Sequence, residues 1–390
     1  MASAAASEMR VGTAWLLIVA EAVIGCLVMM ALYSAIALIP ALGAEFTVDT
    51  NSAAWAVTAF GLAYATSLPV FGALSDRLGR KQVFVPGLVL LAAATILVAF
   101  SPSFGAFIAL RVMQGIAAAT YVPVVLAYLR ETVPHRLAPT AIAGFSLGLL
   151  VAGTLGQVLG NEIATALGWR WVYGLLAGAY LAAALVSWFL PKTSPQAGAA
   201  SAGLLARRML ALLGKRDLIR AYGAAAVLLL AFTAMYTGLQ HGHGQGAMQV
   251  DILALRLIDT PGMAVCLLAG FLAQRYGAGR IAAIGLFVAA VGLIVEGAIE
   301  GPGMLILGSL VFVIGIALAF PSILECVAEL AGDARGAAMA LAGFALFSGA
   351  SLGPLLAGAL IGQGFGTLSL ALAVLLLAGA AALTFEPRRP

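Results

Sequence analysis

The sequence contains few charged side chains. Asp, Glu, Lys and Arg make up 9% of the 390 residues, whereas apolar residues make up 63%. A soluble domain carries about 25% charged residues, and a folded chain of this length cannot hide so much apolar surface from water. The composition therefore excludes a water-soluble domain and predicts a protein whose solvent is lipid.

Cysteine and histidine are also scarce. Cys26, Cys266 and Cys326 lie in three different apolar runs, which argues against a disulfide framework or a metal cluster and favours packing as small hydrophobic residues. The segment HGHGQG at 241–246 favours a plain loop over a metal site. No nucleotide-binding loop, HExxH motif or Ser/His/Asp arrangement is present, so the sequence predicts neither an enzyme nor a cofactor.

Twelve apolar runs are long enough to cross a membrane, for which a helix needs about 20 residues. The first continues from Thr13 to Leu42, well beyond the core of a cleavable signal, and is expected to stay in the bilayer. The sequence thus predicts an all-α integral membrane protein with twelve transmembrane helices, named spans 1 to 12. Their approximate ranges are 14–39, 53–74, 83–101, 104–128, 139–163, 169–190, 221–240, 251–274, 281–300, 303–325, 337–361 and 367–385.

The positions of the cations predict the orientation. If the N-terminus is cytoplasmic, 17 of the 20 Lys and Arg residues fall in cytoplasmic segments, and the exceptions are Arg111, Arg170 and Arg256. Under the positive-inside rule, both termini are then cytoplasmic. The net charge of +4 consequently gives no reason to expect a nucleic-acid partner.

The chain is expected to divide into two related halves. We predict an N-terminal six-helix bundle at 1–190, a cytoplasmic linker at 191–219 and a C-terminal six-helix bundle at 220–390. The linker segment begins with Pro, Ser and Gly and ends with basic residues. An interfacial amphipathic piece is expected within it, around Leu204–Leu213.

An internal repeat supports this division. GALSDRLGRK at 72–81 and GFLAQRYGAG at 270–279 share Gly, Leu, Arg and Gly at positions 198 residues apart, and Pro123 recurs as Pro321 at the same offset. Parallel repeats related by an axis along the membrane normal are one known transporter architecture. The pattern predicts two pseudo-symmetric bundles whose rocking opens a solute site to either side of the membrane.

Four motifs carry a resemblance to a known family. GALSDRLGRK lies between spans 2 and 3, RVMQG at 111–115 lies in span 4, GWRWVY at 168–173 opens span 6, and GQVLGN at 156–161 lies in span 5. These segments resemble motifs of the major facilitator superfamily, and more narrowly of its twelve-span drug/proton antiporter branch. In span 5, Gln157 stands where the branch has proline, and this departure leaves open an importer on the same fold.

The loop at 72–81 is expected to gate the transporter. Asp76 lies at a helix end among basic residues, where it can pair with them or cap a neighbouring helix. Such a cluster would latch the cytoplasmic helix ends when the transporter faces outward, and the alternative is an ordinary positive-inside loop. Gln274 replaces the acid in the second half, so a weaker latch is expected there. The predicted gating residues are Gly72, Asp76, Arg77, Gly79, Arg80 and Arg275.

Charges inside the spans are functional candidates, because each costs about 2.5–3.5 kcal/mol on insertion scales. Glu21 in span 1 is predicted to carry a proton, from its position alone, and a structural acid is the alternative. The resemblance implies that Arg111 shares a proton-coupled network with Gln114, and a snorkelling arginine is the alternative. The predicted proton-coupling set is therefore Glu21, Arg111 and Gln114.

Span 8 carries Arg256 and Asp259 one turn apart, just before Pro261-Gly262, where a helix irregularity is expected. The two residues either neutralise each other as a structural pair or line a substrate cavity, to which Glu296 of span 9 is added. The glycine-rich spans 5 and 11 resemble the seams between the halves of the superfamily. The implied interface residues are Gly156, Gly160, Gly353 and Pro354.

Together these features predict a secondary transporter. The favoured function is proton-coupled export of small molecules such as drugs or metabolites, by a monomer in the inner membrane of a bacterium. The alternative is proton-coupled import or facilitated movement of a sugar or an organic acid. A membrane-embedded enzyme or a receptor is disfavoured, because the sequence shows no catalytic motif.

Overall fold

Lipid offers no hydrogen-bond partner to the backbone, so a segment that crosses it must be helical or belong to a closed barrel. The computed structural model describes residues 11–134, 136–191, 207, 209–244, 252–298 and 301–384, and these residues form helices joined by short turns. Within those ranges, twelve segments are long and apolar enough to cross a membrane. The predicted all-α fold with twelve spans is therefore confirmed.

The first six spans follow one another with short connections. Span 4 is broken at residues 119–121, where the Thr120 hydroxyl donates to the Ala117 carbonyl at 2.7 Å. Pro123 follows the break and has no N–H to continue the helix. The helix bounds are Val11–Phe46 (span 1), Thr50–Leu78 (span 2), Arg80–Ala99 (span 3), Phe104–Ala118 and Val122–Thr132 (span 4), Ala138–Leu167 (span 5) and Trp169–Trp188 (span 6).

The second six spans include one irregular helix. Span 8 contains a 3-10 segment at Thr260–Val265, which confirms the irregularity expected at Pro261-Gly262. The bounds are Arg216–Gly244 (span 7), Ile252–Asp259, Thr260–Val265 and Cys266–Tyr276 (span 8), Ala278–Ala298 (span 9), Pro302–Ala331 (span 10), Arg335–Leu360 (span 11) and Phe365–Thr384 (span 12).

Two sequence predictions fall partly outside the described residues. Of the predicted linker at 191–219, residues 192–206 and 208 lie outside them, and the helix of span 7 already begins at Arg216. The same helix continues to Gly244, through the first four residues of HGHGQG. Glycine weakens a helix by about 1 kcal/mol relative to alanine but does not forbid it. The remaining two residues of that segment are not described.

Contacts between residues divide the chain into two units. The first comprises Met1–Val48 and Ala59–Leu205, and the second comprises Asp49–Thr58 and Ala206–Pro390. In the first unit, span 1 packs on span 5, and span 3 packs on spans 4 and 6. In the second unit, span 7 packs on span 11, and span 9 packs on spans 10 and 12. Each pairing in the second unit repeats one in the first, six spans later.

Equivalent glycines turn the chain in the two units. Gly79 joins span 2 to span 3 with a φ of 94°, and Gly277 joins span 8 to span 9 with a φ of 93°. Both values lie in the region that favours glycine, because a side chain would be strained there. The repeat seen in the sequence thus extends to the turn between the second and third helix of each unit.

Candidate functional site

Glu21 is buried inside the first unit. It lies in span 1 and has no exposed surface. The hydroxyl of Tyr121, at the break in span 4, donates to its carboxylate oxygen Oε2. The other oxygen, Oε1, has no hydrogen-bond partner among the described residues. A carboxyl group in this position is stable when it holds a proton, since an ionised carboxylate without a compensating partner is costly in an apolar interior.

Arg111 is the centre of a second buried cluster. Its Nη1 donates to the Ala31 carbonyl at 2.9 Å and to Gln114 Oε1 at 2.5 Å. Gln114 Nε2 in turn donates to the Thr95 hydroxyl at 2.8 Å. The guanidinium carbon lies 4.5 Å from the centre of the Phe60 ring. Because Arg111 is fully buried and its bonds point into the unit, this geometry argues against a snorkelling arginine.

The three predicted proton-coupling residues form two clusters. Arg111 and Gln114 are hydrogen-bonded to one another, and Arg111 reaches span 1 at Ala31. Glu21 lies ten residues earlier on the same helix, which is about 15 Å at 1.5 Å per residue. Spans 1 and 4 contribute to both clusters, so the two clusters are linked through the helices.

In the second unit, Arg256 and Asp259 have different hydrogen-bond partners. Arg256 Nη2 donates to Gln240 Oε1 at 3.0 Å. Asp259 Oδ2 accepts from the Ser309 hydroxyl at 2.5 Å and from the Tyr236 hydroxyl at 3.3 Å. Both residues are buried. The two side chains therefore bind different hydrogen-bond partners while they lie within electrostatic range of one another.

Glu296 lies beside Asp259 and is also buried. Neither of its carboxylate oxygens has a hydrogen-bond partner among the residues that the structure describes. A Cβ placed on Gly308 would lie 2.9 Å from Glu296 Cβ, and the next residue, Ser309, donates to Asp259. Asp259 thus lies within electrostatic range of both Arg256 and Glu296. That the three residues line a substrate cavity stays a prediction.

The loop after span 2 contains a network of ion pairs. Arg80 pairs with Asp76, pairs with Glu131 at 2.9 Å, and donates to the Ser75 hydroxyl at 2.7 Å. Glu131 lies in the last turn of span 4, so the network joins that end of the span to the start of span 3. The predicted orientation would place this end on the cytoplasmic side. Lys81 donates to the carbonyls of Trp188 and Leu190, at the end of span 6.

The other predicted gating residues have simpler roles. Gly79 forms the turn between spans 2 and 3. The side chain of Arg77 is exposed. Gly72 is not packed closely, because an added Cβ there would meet no atom within 4 Å. In the second half, Arg275 stacks on Tyr276, with 5.4 Å from the guanidinium carbon to the ring centre. Among the described residues Arg275 has no ion-pair partner, whereas Arg80 in the first half has two.

The predicted interface glycines pack within their own units. A Cβ on Gly156 would lie 3.2 Å from Met30 Cα, and one on Gly160 would lie 3.1 Å from Ser34 Cβ, so both glycines allow span 5 to approach span 1. Gly353 allows span 11 to approach span 7 in the same way, and the adjacent Pro354 is buried.

Several contributing residues were not found from the sequence. Each of these residues completes a cluster, but none belongs to a motif. They are Tyr121, Thr95, Ser309, Tyr236, Gln240 and Glu131. Only Glu131 could have been found from the internal repeat, because Glu329 occupies the equivalent position 198 residues later. The others required the packing of helices that are distant in sequence.

Comparison with known proteins gives a family match over most of the chain and individual relatives over little more than a third of it. Residues 22–329 match the family model of the Major Facilitator Superfamily. The multidrug export protein EmrB of Haemophilus influenzae is 29% identical over 150 residues, which are 38% of this chain and 29% of that protein. The probable multidrug resistance protein EmrY of Escherichia coli is 27% identical over 135 residues, which are 35% of this chain and 26% of that protein. The match thus covers less than a third of either relative.

The fold is shared with a solved structure. The crystal structure of the human organic anion transporter MFSD10 (TETRAN) matches with a TM-score of 0.71 and 21% identity, over 94% of this chain and 99% of that chain. At this identity the likeness concerns the fold alone. Since the family model covers most of the chain, this multi-pass membrane protein belongs to the major facilitator superfamily, whose members are transporters rather than enzymes.

Proposed function

We propose that this protein exports small molecules in exchange for protons, by alternating access, from the cytoplasm of a bacterium across its inner membrane. In this proposal both termini are cytoplasmic and the monomer is the working unit. The observation that carries it is the environment of Glu21, a buried carboxyl group with one hydroxyl donor and one oxygen without a partner.

The proposed cycle couples this carboxyl group to helix movement. When Glu21 holds a proton, it is neutral and stable in the apolar interior. When it releases the proton, the carboxylate needs water or a cationic group, which favours a conformation that opens the site. Spans 1 and 4 meet at Tyr121 and again at Arg111, so a change at Glu21 would reach the Arg111 cluster through the same two helices.

The substrate class is supported by the relatives. The names of EmrB and EmrY describe multidrug export and multidrug resistance. The RVMQG motif, whose Arg111 and Gln114 are hydrogen-bonded here, resembles that of drug/proton antiporters. We therefore propose drugs or metabolites as the substrates, with Arg256, Asp259 and Glu296 lining their path in the second unit.

Proteoliposomes test the exchange. The purified protein is reconstituted with a pH-sensitive dye inside, a panel of unrelated drugs is added, and a pH gradient is imposed. Export by antiport predicts drug and proton fluxes in opposite directions, and accumulation of the drug should be lost when a protonophore collapses the pH gradient. Fluxes in the same direction would instead establish import by symport, and drug flux without proton flux would establish a facilitator. Either result would overturn the proposal.

The three lysines of the chain test the orientation. Lys81, Lys192 and Lys215 all fall on the side that we propose to be cytoplasmic. A membrane-impermeant amine reagent should leave the protein unlabelled in intact cells and label it after lysis. Arg replacements of all three lysines give the control for background labelling. Equal labelling before and after lysis would show that the orientation is wrong.

A further inference from the structure

A polar cavity lies in the second unit, where span 8 ends and span 9 begins. Its volume is about 570 Å³, within the range of about 300–1,000 Å³ that is usual for small-molecule sites. The end of span 10 contributes Glu329, and the remaining polar lining comes from Gln274, Arg275, Tyr276 and Arg280. The predicted orientation places this cavity at the cytoplasmic side of the membrane.

An apolar groove adjoins the polar cavity and runs between spans 9 and 12. It has a volume of about 370 Å³ and shares Arg280 with the cavity. Ala283 of span 9 and Ala380 of span 12 line the groove and are buried, whereas Ile284 and Phe287 line it and are exposed. Short side chains between longer ones leave room for an unbranched apolar chain along the two helices.

The charge and the apolar surface lie on one face of span 9. Arg280, Ala283, Ile284 and Phe287 all line the groove. Their spacing of three and four residues places side chains on the same side of a helix. Arg280 lies in the first turn of span 9, at the end that is predicted to be cytoplasmic. A ligand that fills both spaces must therefore carry a polar group at one end and an apolar chain at the other.

The polar end of such a ligand should be an anion. Among the described residues neither Arg275 nor Arg280 forms an ion pair, and Glu329 is the only acid among the residues that line the cavity. Residues 385–390, which follow span 12, lie outside the described residues. A phosphate group needs only the two guanidinium groups, because arginine presents a fork of N–H donors that fits phosphate oxygens.

The internal repeat shows what the second half lacks at this place. In the first half, Asp76 pairs with Arg80 in the loop after span 2. Gln274 lines the cavity at the position equivalent to Asp76, 198 residues later, and carries no charge. An anion from outside the chain would thus supply there the negative charge that Asp76 supplies in the first half.

We propose that the cavity and the groove together form a lipid site, which binds a phospholipid with an anionic head group. The phosphate lies between Arg275 and Arg280, and one acyl chain lies in the groove along spans 9 and 12. Basic pockets between helices on the cytoplasmic side bind such head groups, and the anionic lipids of that leaflet supply the ligand. Free phosphate would fill only the cavity, so the groove distinguishes the two sources.

Native mass spectrometry of the full-length protein measures lipid binding without a substrate or a pH gradient. The protein in detergent is titrated with phosphatidylglycerol, or with phosphatidylcholine that has the same acyl chains. We expect one phosphatidylglycerol to bind more tightly than phosphatidylcholine. Arg280→Gln should weaken its binding by about fivefold, which is the usual contribution of one basic residue at an anionic lipid surface. The matched control is Arg335→Gln, an exposed arginine that lines neither space and should change nothing.

A second pair of variants tests the groove. Ala381 is exposed and lines the groove, so the ring added by Ala381→Phe would occupy the space of the acyl chain without crowding the interior. We expect this variant to weaken the binding of phosphatidylglycerol severalfold. Ala378→Phe is the matched control, because Ala378 is an exposed alanine of the same helix that does not line the groove. Its affinity should equal that of the unchanged protein.

Three results would overturn the lipid site. The first is equal affinity of the unchanged protein for the two lipids, and the second is an equal loss in Arg280→Gln and Arg335→Gln. The third is unchanged binding in Ala381→Phe, which would show that a phosphate alone is recognised. If Arg280→Gln fails to fold, Arg280→Lys replaces it and should bind more weakly than the unchanged protein, because lysine lacks the planar fork. None of these results depends on the proposed exchange, which can fail while the lipid still binds.

Discussion

The two halves of the protein share their helix packing but not their polar interiors. Spans pair in the same order in each unit, and equivalent glycines turn the chain at Gly79 and Gly277. The offset of 198 residues places Ser309 where the first half has Arg111, Phe312 where it has Gln114 and Ala319 where it has Tyr121. The repeat therefore preserves positions that determine close approach and turns, while the buried polar groups have diverged.

One equivalent position contributes to a polar cluster in both halves. Arg111 binds Ala31 and Gln114 in the first, whereas Ser309 binds Asp259 in the second. The position faces the inside of its unit in each case, and different residue types give it different chemistry. The repeated fold thus provides an equivalent buried position in each half, and a different polar residue occupies it in each.

The largest expected effect is that of Arg111→Ala. The change removes two hydrogen bonds and the contact with Phe60, so we expect proton-linked transport to be abolished while the protein remains inserted in the membrane. Flux driven by a pH gradient in proteoliposomes measures this. The control is Arg170→Ala, which removes an exposed pair with Glu45. Near-normal flux in the Arg111 variant would remove this residue from the mechanism.

The glycines of spans 5 and 11 show how closely the helices approach one another in each half. A Cβ on Gly353 would lie 2.7 Å from the Leu230 carbonyl oxygen, whereas one on Gly156 would lie no nearer than 3.2 Å to any atom. We expect Gly353→Ala to destabilise the protein by about 1–3 kcal/mol, as overpacking does, and Gly156→Ala to destabilise it less, because its contacts are longer. Thermal unfolding in detergent measures both. Gly223→Ala, in open space, is the control.

Equal destabilisation by the two alanine variants would contradict this comparison. It would mean that spans 1 and 5 approach as tightly as spans 7 and 11, so that the halves are packed alike in detail as well as in order. A stability of Gly223→Ala below that of the unchanged protein would invalidate the control, because alanine favours a helix over glycine by about 1 kcal/mol.

The ion pairs of Arg80 in the first half should contribute more to stability than any ion pair described in the second. Arg80 is 7% exposed, and its partners Asp76 and Glu131 are 37% and 25% exposed. Loss of one member of a fully buried pair costs about 3–5 kcal/mol, and solvent reduces this here, so we expect about 1–2 kcal/mol for Arg80→Ala. Chemical unfolding measures it, and Arg80→Lys should restore part of the loss.

The smallest effect is expected at Arg335. It pairs with Glu325 at 3.3 Å, and both side chains are nearly half exposed. Exposed ion pairs contribute about 0–1 kcal/mol, so Arg335→Ala should be indistinguishable from the unchanged protein in the same unfolding experiment. A loss as large as that of Arg80→Ala would show that the second half has an equivalent latch.

The sequence predicts the helices well because lipid requires long apolar runs. It also predicts the irregularity at Pro261, since proline removes a backbone donor. The break in span 4 at residues 119–121 was not predicted. Pro123 follows this break, whereas its equivalent in the second half, Pro321, lies inside an unbroken helix. Proline permits a break without requiring one, and the local bond from Thr120 to Ala117 accompanies it here.

The sequence predicts the charged member of each polar cluster but not its hydrogen-bond partners. Buried charges such as Glu21 and Arg256 are conspicuous in an apolar run, so the sequence reveals them. Their partners are ordinary residues on other helices. Tyr121 is 100 positions from Glu21, and Ser309 is 50 positions from Asp259. Spacing on one helix brought Arg256 and Asp259 together in the prediction, whereas tertiary packing gives each a different partner.

The central claim is that Glu21 carries the proton that drives transport, and the variant Glu21→Gln tests it most directly. Glutamine keeps the size of the side chain and can accept the bond from Tyr121, but it cannot release a proton. We predict that accumulation of substrate driven by a pH gradient is lost in proteoliposomes, while exchange of substrate across the membrane without a gradient persists. Gradient-driven accumulation at the unchanged rate in this variant would contradict the account.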